Sequence, residues 1–123
     1  MTEHQQQTTL FNFLRTMEYE YPILKWVHAI PNGGLRHKAI AGKMKAEGLK
    51  AGVSDIFIPI PRTDYHGQYI EMKFGKNVLT TNQKDFMAFV ADQGFHTDIC
   101  YSWIEAAVSI FKYLGLDLPE GLP

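Results

Sequence analysis

Two short apolar segments, each interrupted by an acidic residue, constrain this chain more than any other feature. They are Gly52-Val53-Ser54-Asp55-Ile56-Phe57-Ile58-Pro59 and Tyr69-Ile70-Glu71-Met72-Lys73. Between them lies the turn-rich stretch Pro61-Arg62-Thr63-Asp64-Tyr65-His66-Gly67. β-Branched and aromatic residues bounded by turn formers predict two strands with a hairpin-like connection. Along a strand, residues i and i+2 share a face, so Glu71 and Lys73 project together while Met72 points away. Pairing of the strands lets Asp55 join them, placing two carboxylates beside one ammonium. Asp55 breaks the run from Val53 to Ile60, which is otherwise apolar enough for a buried strand. A carboxylate there without a partner costs roughly several kcal/mol, so a metal ion or another cation is wanted.

Elements on either side fill out the fold class. Thr2-x-x-Gln5 has the form of a capping box, and Leu10, Phe11, Leu14, Met17 and Tyr21 follow at helical spacing until Tyr21-Pro22. Stepping that stripe backward by threes and fours reaches Gln7 and Glu3, which puts Glu3 at the helix start on the buried side. Lys25 to Ile30 reads as a first strand, ended by the turn Pro31-Asn32-Gly33-Gly34. Arg36 to Glu47 reads as a short helix with Ala39, Ile40 and Met44 inward and Gly48 closing it. After the two acid-bearing strands, Thr80-x-x-Gln83 opens a helix through Phe86, Phe89 and Val90 to Gly94. Phe95 to Tyr101 is a fourth strand. Ser102-x-x-Glu105 caps a last helix expected to bury Ile104, Ala107, Val108, Phe111 and Leu114, with Gly115 at its end. The order predicts a single α/β domain spanning residues 1–123, a mixed sheet flanked by helices.

The net charge of −1 hides an uneven distribution: from Arg36 to Lys84 there are nine basic and four acidic residues. Two of those acids, Asp55 and Glu71, belong to the centre, so the middle of the chain suits a polyanion. The Arg36 to Lys50 segment can track phosphates, with Arg36, Lys38, Lys43 and Lys45 as contacts and Asn32 in a turn that allows close backbone approach. No apolar run nears the roughly 18 residues that span a membrane. The polar start lacks a signal-peptide core and the single Cys100 has no internal partner, so an intracellular protein is expected. Cys100 lies in an apolar strand and reads as a small buried residue. The five histidines show no zinc spacing, and no glycine-rich loop supports a nucleotide cofactor.

Asp55 and Glu71, with the backbone carbonyl of Met72 as a third oxygen, suit Mg²⁺ or Mn²⁺, which bind few carboxylates and keep several waters. Such an ion acidifies water and offsets charge building on a phosphate. Lys73 on the same face can position that water, and Glu3 can add a further carboxylate. The chemistry expected is metal-dependent hydrolysis of a phosphodiester.

Taken jointly, Pro31-Asn32-Gly33-Gly34-x-Arg36, Gly48-x-x-x-Gly52-Val53-Ser54-Asp55, Glu71-x-Lys73 and Gln83 in this spacing resemble the virus-type replication-repair nuclease (VRR-NUC) domain of the PD-(D/E)xK nuclease superfamily. Glu3-x-x-Gln6 resembles that family's first helix, and the likeness runs from Glu3 to about Tyr113. It implies a restriction-endonuclease-like αβββαβ core with Asp55, Glu71 and Lys73 as the catalytic centre. It also implies Glu3 as the first-helix acid, for which Glu18 and Glu20 are rivals, and Gln83 as a supporting residue. Ser54 departs from the pattern, standing where the superfamily's proline precedes the aspartate. Stand-alone, phage-encoded domains of this type resemble Holliday-junction resolvases, which implies a homodimer on branched or duplex DNA in a bacterial cytoplasm. Flap, splayed-arm or restriction-like cutting, and a catalytically silent DNA-binding module, are the alternatives.

Overall fold

The computed structural model describes residues 1–31 and 38–122, with the side chains of residues 38–41 outside the description. Among the described residues, four α-helices and four strands follow in order: α1 (Glu3–Met17), β1 (His28–Ala29), α2 (Lys38–Ala46), β2 (Ile56–Ile58), β3 (Gln68–Met72), α3 (Thr81–Asp92), β4 (His96–Cys100) and α4 (Trp103–Leu114). The strands form one sheet in the order β1-β2-β3-β4. β1 and β2 pair antiparallel, as do β2 and β3, whereas β3 and β4 run parallel. A parallel pair cannot be closed by a tight turn, and α3 supplies the crossover. This is the mixed, helix-flanked sheet expected from the sequence. No helix of the described residues is long and apolar enough to cross a membrane.

The two sheet faces have different chemistry. Ile56, Ile58, Ile70, Met72 and Cys100 point to one side and join Leu10, Leu14 and Met17 of α1 and Ala106, Ala107, Ile110 and Phe111 of α4 in the core. Phe111 is fully buried, with Phe13 at 5.7 Å and Tyr21 at 5.9 Å between ring centroids. Burial of such side chains, about 1.5–3 kcal/mol each, is the main drive holding α1 and α4 to the sheet. On the other side Phe57 stacks on Tyr69 at 4.6 Å, and Tyr69 meets Phe86 of α3 edge-on at 5.2 Å. Glu71 and Lys73 continue the Tyr69 face, as strand alternation requires.

Both capping boxes form: Thr2 with Gln5, and Thr80 with Gln83. Several local expectations are corrected. Pro22 opens a 3-10 turn over Pro22–Trp26, so Lys25 and Trp26 precede the strand and only His28 and Ala29 pair. α4 buries Ala106 and Ile110 instead of Val108, which is 42% exposed. The helix is apolar on most sides, and the small Ala106 and Ala107 select the face that approaches the sheet closely. Phe89 points to solvent, and Met87 takes its place against the sheet. The turn residues Asn32, Gly33 and Gly34, and Arg36, lie outside the described residues, as do the side chains of Lys38, Ala39 and Ile40. Cys100 is buried as expected, and burial pushes its thiol up to about 12.

Candidate active site

The site is built where β2 and β3 part. The register pairs Ile56 with Ile70, and one further step sets Asp55 opposite Glu71. Asp55 just precedes β2, and its backbone carbonyl still accepts the Ile30 N–H at 2.7 Å. Its side chain turns to the neighbouring strand, where Oδ2 accepts the Met72 N–H at 2.7 Å. The aspartate thereby replaces a main-chain carbonyl at the strand end, and its position is fixed by the sheet itself.

Glu71 is 2% exposed, and its Oε1 meets no hydrogen-bonding partner among the described protein atoms. Burial first, then hydrogen bonding to Asp55 and the charge beside it, raise its carboxyl to about 9; Lys73 works in the opposite direction and Glu3 adds to the rise. Two carboxyl groups sharing one buried site cannot both ionise cheaply, so Glu71 holds its proton until a cation arrives. Lys73, 7% exposed, follows β3 and is anchored by its own N–H to the Cys100 carbonyl at 2.9 Å.

These side chains open into one cavity of about 790 Å³, bounded by the start of α1, the end of α2, the 49–53 loop and the start of α3. Glu3, Asp55, Glu71, Lys73 and Gln83 all line it, together with Lys45 and Lys50. The structure thus brings together every candidate catalytic residue read from the sequence. Glu3 is half-buried, with Asn77 Nδ2 donating to its Oε1 at 3.5 Å. Of its two rivals, Glu18 borders a different cavity and Glu20 is exposed. Gln83 does double duty. Its Oε1 accepts the Thr80 N–H at 2.9 Å, which commits the carbonyl end to the helix cap and leaves the amide NH₂ as the group to face the cavity. Lys43 is exposed on α2 and does not line the cavity.

Sequence reading missed Lys50 and the structural part of Gly52. Gly52 has φ +91°, and a Cβ there would sit 2.5 Å from the Asn82 backbone carbon and oxygen. The loop before Asp55 therefore rests directly on the first turn of α3, which also carries Gln83. Gly52→Ala is expected to lose about 2 kcal/mol or more from positive φ and this clash. Thermal unfolding tests this, and a wild-type melting temperature would show that loop and helix end yield freely. The glycine's signal was in the sequence, in the Gly-Val-Ser-Asp run, but not its partner.

Do these residues suit a divalent metal? The buried Oε1 of Glu71 lacks a partner among the described residues, and Asp55 lies beside it with Lys73 close by, so a hard cation would satisfy what the protein leaves open. Among the described residues no three His, Cys, Asp or Glu side chains gather closely enough to hold a metal by themselves. The fit is that of two carboxylates, with water to complete the coordination.

Comparison with known proteins points to one family. The family model of the VRR-NUC domain matches residues 2–103. A solved structure described as a VRR_NUC domain protein superposes with a TM-score of 0.77 at 28% identity, covering 99% of this chain and 95% of the other. No curated protein gives a significant match.

Proposed function

The chain belongs to the VRR-NUC domain family, a nuclease family, and from that premise we propose that it is a metal-dependent, structure-selective DNA endonuclease, a Holliday-junction resolvase. The observation that carries this reading is the single cavity where Asp55, Glu71 and Lys73 converge with a buried carboxyl oxygen left without a protein partner.

Asp55 and Glu71 are the residues to hold Mg²⁺ or Mn²⁺, with the Met72 carbonyl as a further oxygen and Glu3 at the rim. The bound ion supplies a Lewis acid at the phosphate and lowers the pKa of water. Asp55 brings a carboxylate fixed by the Met72 N–H, so it needs no reorganisation during reaction. Glu71 gives up its proton on loading and becomes the second anionic oxygen donor. Lys73 donates hydrogen bonds toward the attacking water or the phosphoryl oxygens, from a side chain largely shielded from solvent. The Gln83 amide adds a neutral donor from the first turn of α3. Lys45 and Lys50, on the same wall, attract the DNA backbone without reading its sequence. Two copies related by a two-fold axis would present matched centres to the paired strands of a junction.

The test is a side-by-side assay on labelled four-way, flap and linear duplex DNA with Mg²⁺ and with EDTA. The expected result is paired, symmetric nicks in the four-way substrate, absent with EDTA. Faster cutting of the flap or the linear duplex would replace junction resolution by that activity.

A further inference from the structure

The carboxylate centre opens on two sides. A second cavity, also about 790 Å³, lies between α1 and β1 and shares only Glu3 and Asp55 with the first. A phosphodiester held at those carboxylates has chain leaving in two directions, so one cavity cannot seat both. Lys45 and Lys50 line the first path. The wall of the second carries His4 and Arg15 from α1, and Lys25 and His28 from the segment that leads into β1. Apart from the two shared acids, Glu18 is its one acidic lining residue.

Arg15 and Lys25 each have a local partner. Arg15 Nη1 donates to Asn12 Oδ1 at 3.1 Å, and Lys25 Nζ stands 4.9 Å from the centre of the Trp26 ring. His28 Nδ1 lies 2.8 Å from the Trp26 carbonyl oxygen. A carbonyl can only accept, so Nδ1 is the donor, and in that tautomer Nε2 carries a lone pair that accepts. The ring meets Phe57 edge-on at 5.8 Å, and the β1–β2 register pairs His28 with Phe57, two residues along the strand from Asp55. His28 therefore projects to the sheet face away from α1, and the groove's cationic side chains are Arg15 and Lys25.

We propose that the α1–β1 groove is a second nucleic-acid subsite, seating backbone phosphates of the cut strand on one side of the scissile bond through Arg15 and Lys25. This rests on the nuclease reading above and deepens it by giving the strand a path past the centre. The occupant is a polynucleotide strand, because the groove joins cationic walls to the residues that would hold the scissile phosphate. Arg15 and Lys25 are position-setting contacts; neither is assigned to bond breaking.

The experiment measures binding of a fluorescent four-way DNA to the full chain in EDTA, over a salt series, for wild type and the Arg15→Gln/Lys25→Gln double variant. Both side chains are exposed, so the core is untouched. The double variant is expected to bind about tenfold more weakly and to lower the salt slope by about two. Lys112→Gln, at an exposed position on α4, is expected to match wild type in both. With Mg²⁺, the double variant should raise KM and leave kcat within about twofold. Unchanged affinity and slope in the double variant, or an equal loss from Lys112→Gln, would overturn the groove. A wild-type protein that binds DNA but never cuts it contradicts the nuclease reading, whereas the binding comparison still decides the subsite.

Discussion

Asp55→Asn, and separately Lys73→Ala, are expected to lower DNA cleavage roughly a thousandfold while the protein folds and binds DNA much as before. The physical reason differs at the two positions. Asn at 55 keeps an oxygen that can accept the Met72 N–H, so the strand end stays in place and only the charge is lost. What disappears is half of the anionic ligand pair. Loss of the Lys73 side chain leaves the strand anchored through its N–H to the Cys100 carbonyl, but removes the ammonium that offsets Glu71. Removing one acid should also relieve repulsion of the DNA backbone, so Asp55→Asn is expected to bind DNA at least as tightly as wild type. Rates on labelled DNA, with circular dichroism and anisotropy alongside, separate lost chemistry from lost structure. Cleavage at the wild-type rate in either variant would take that residue out of the mechanism.

The second large effect concerns Glu71 and pH. Its carboxyl rises from an ordinary 4.5 to about 9 in the folded protein, chiefly through burial. Between those values the unfolded chain releases a proton that the folded chain retains. Stability of the metal-free protein should therefore fall as pH rises from about 4.5 toward 9, the direction set by linkage. Glu71→Gln mimics the protonated form and should flatten that slope. At pH 8 the variant is expected to be about 2 kcal/mol more stable than wild type, roughly 5–10 °C in melting temperature for a domain of this size. Adding Mn²⁺ at the same pH should raise the wild-type melting temperature and leave the variant nearly unmoved. Parallel pH profiles in the two proteins would mean that Glu71 ionises freely. The stabilised variant should also cut no DNA, a trade expected where an active site keeps a buried acid that is costly to ionise.

The pairing of Asp55 with Glu71 was legible because alternation along a strand is strict and the turn between the strands is rich in Gly, Pro and Asp. The two capping boxes were legible because a cap is local, written within four residues. Legibility failed where long-range packing chooses among equivalent local patterns. Ile104 and Val108 form as good a helical stripe as Ala106 and Ile110, and only the closeness of α4 to the sheet decides between them. Gln68 gives no sign in the sequence of complete burial; its amide reaches Ser109 and His96, and Ser109 in turn bonds Asp98, a network spanning β3, β4 and α4. Glu3 was reached by extrapolating a stripe, but its distance in the chain from Asp55 left its membership to the packing of α1. Arg15 and Lys25 looked like ordinary surface charges because nothing local shows that a cavity reaches the centre between them.

Titration of the metal-free protein with Mn²⁺ by calorimetry, at a pH where Glu71 must lose its proton, tests the core of this account. Wild type should bind Mn²⁺ with release of a proton, and Asp55→Asn and Glu71→Gln should each bind at least tenfold more weakly. Equal uptake by all three proteins, or none by wild type, would contradict the claim that these two carboxylates form a cation site.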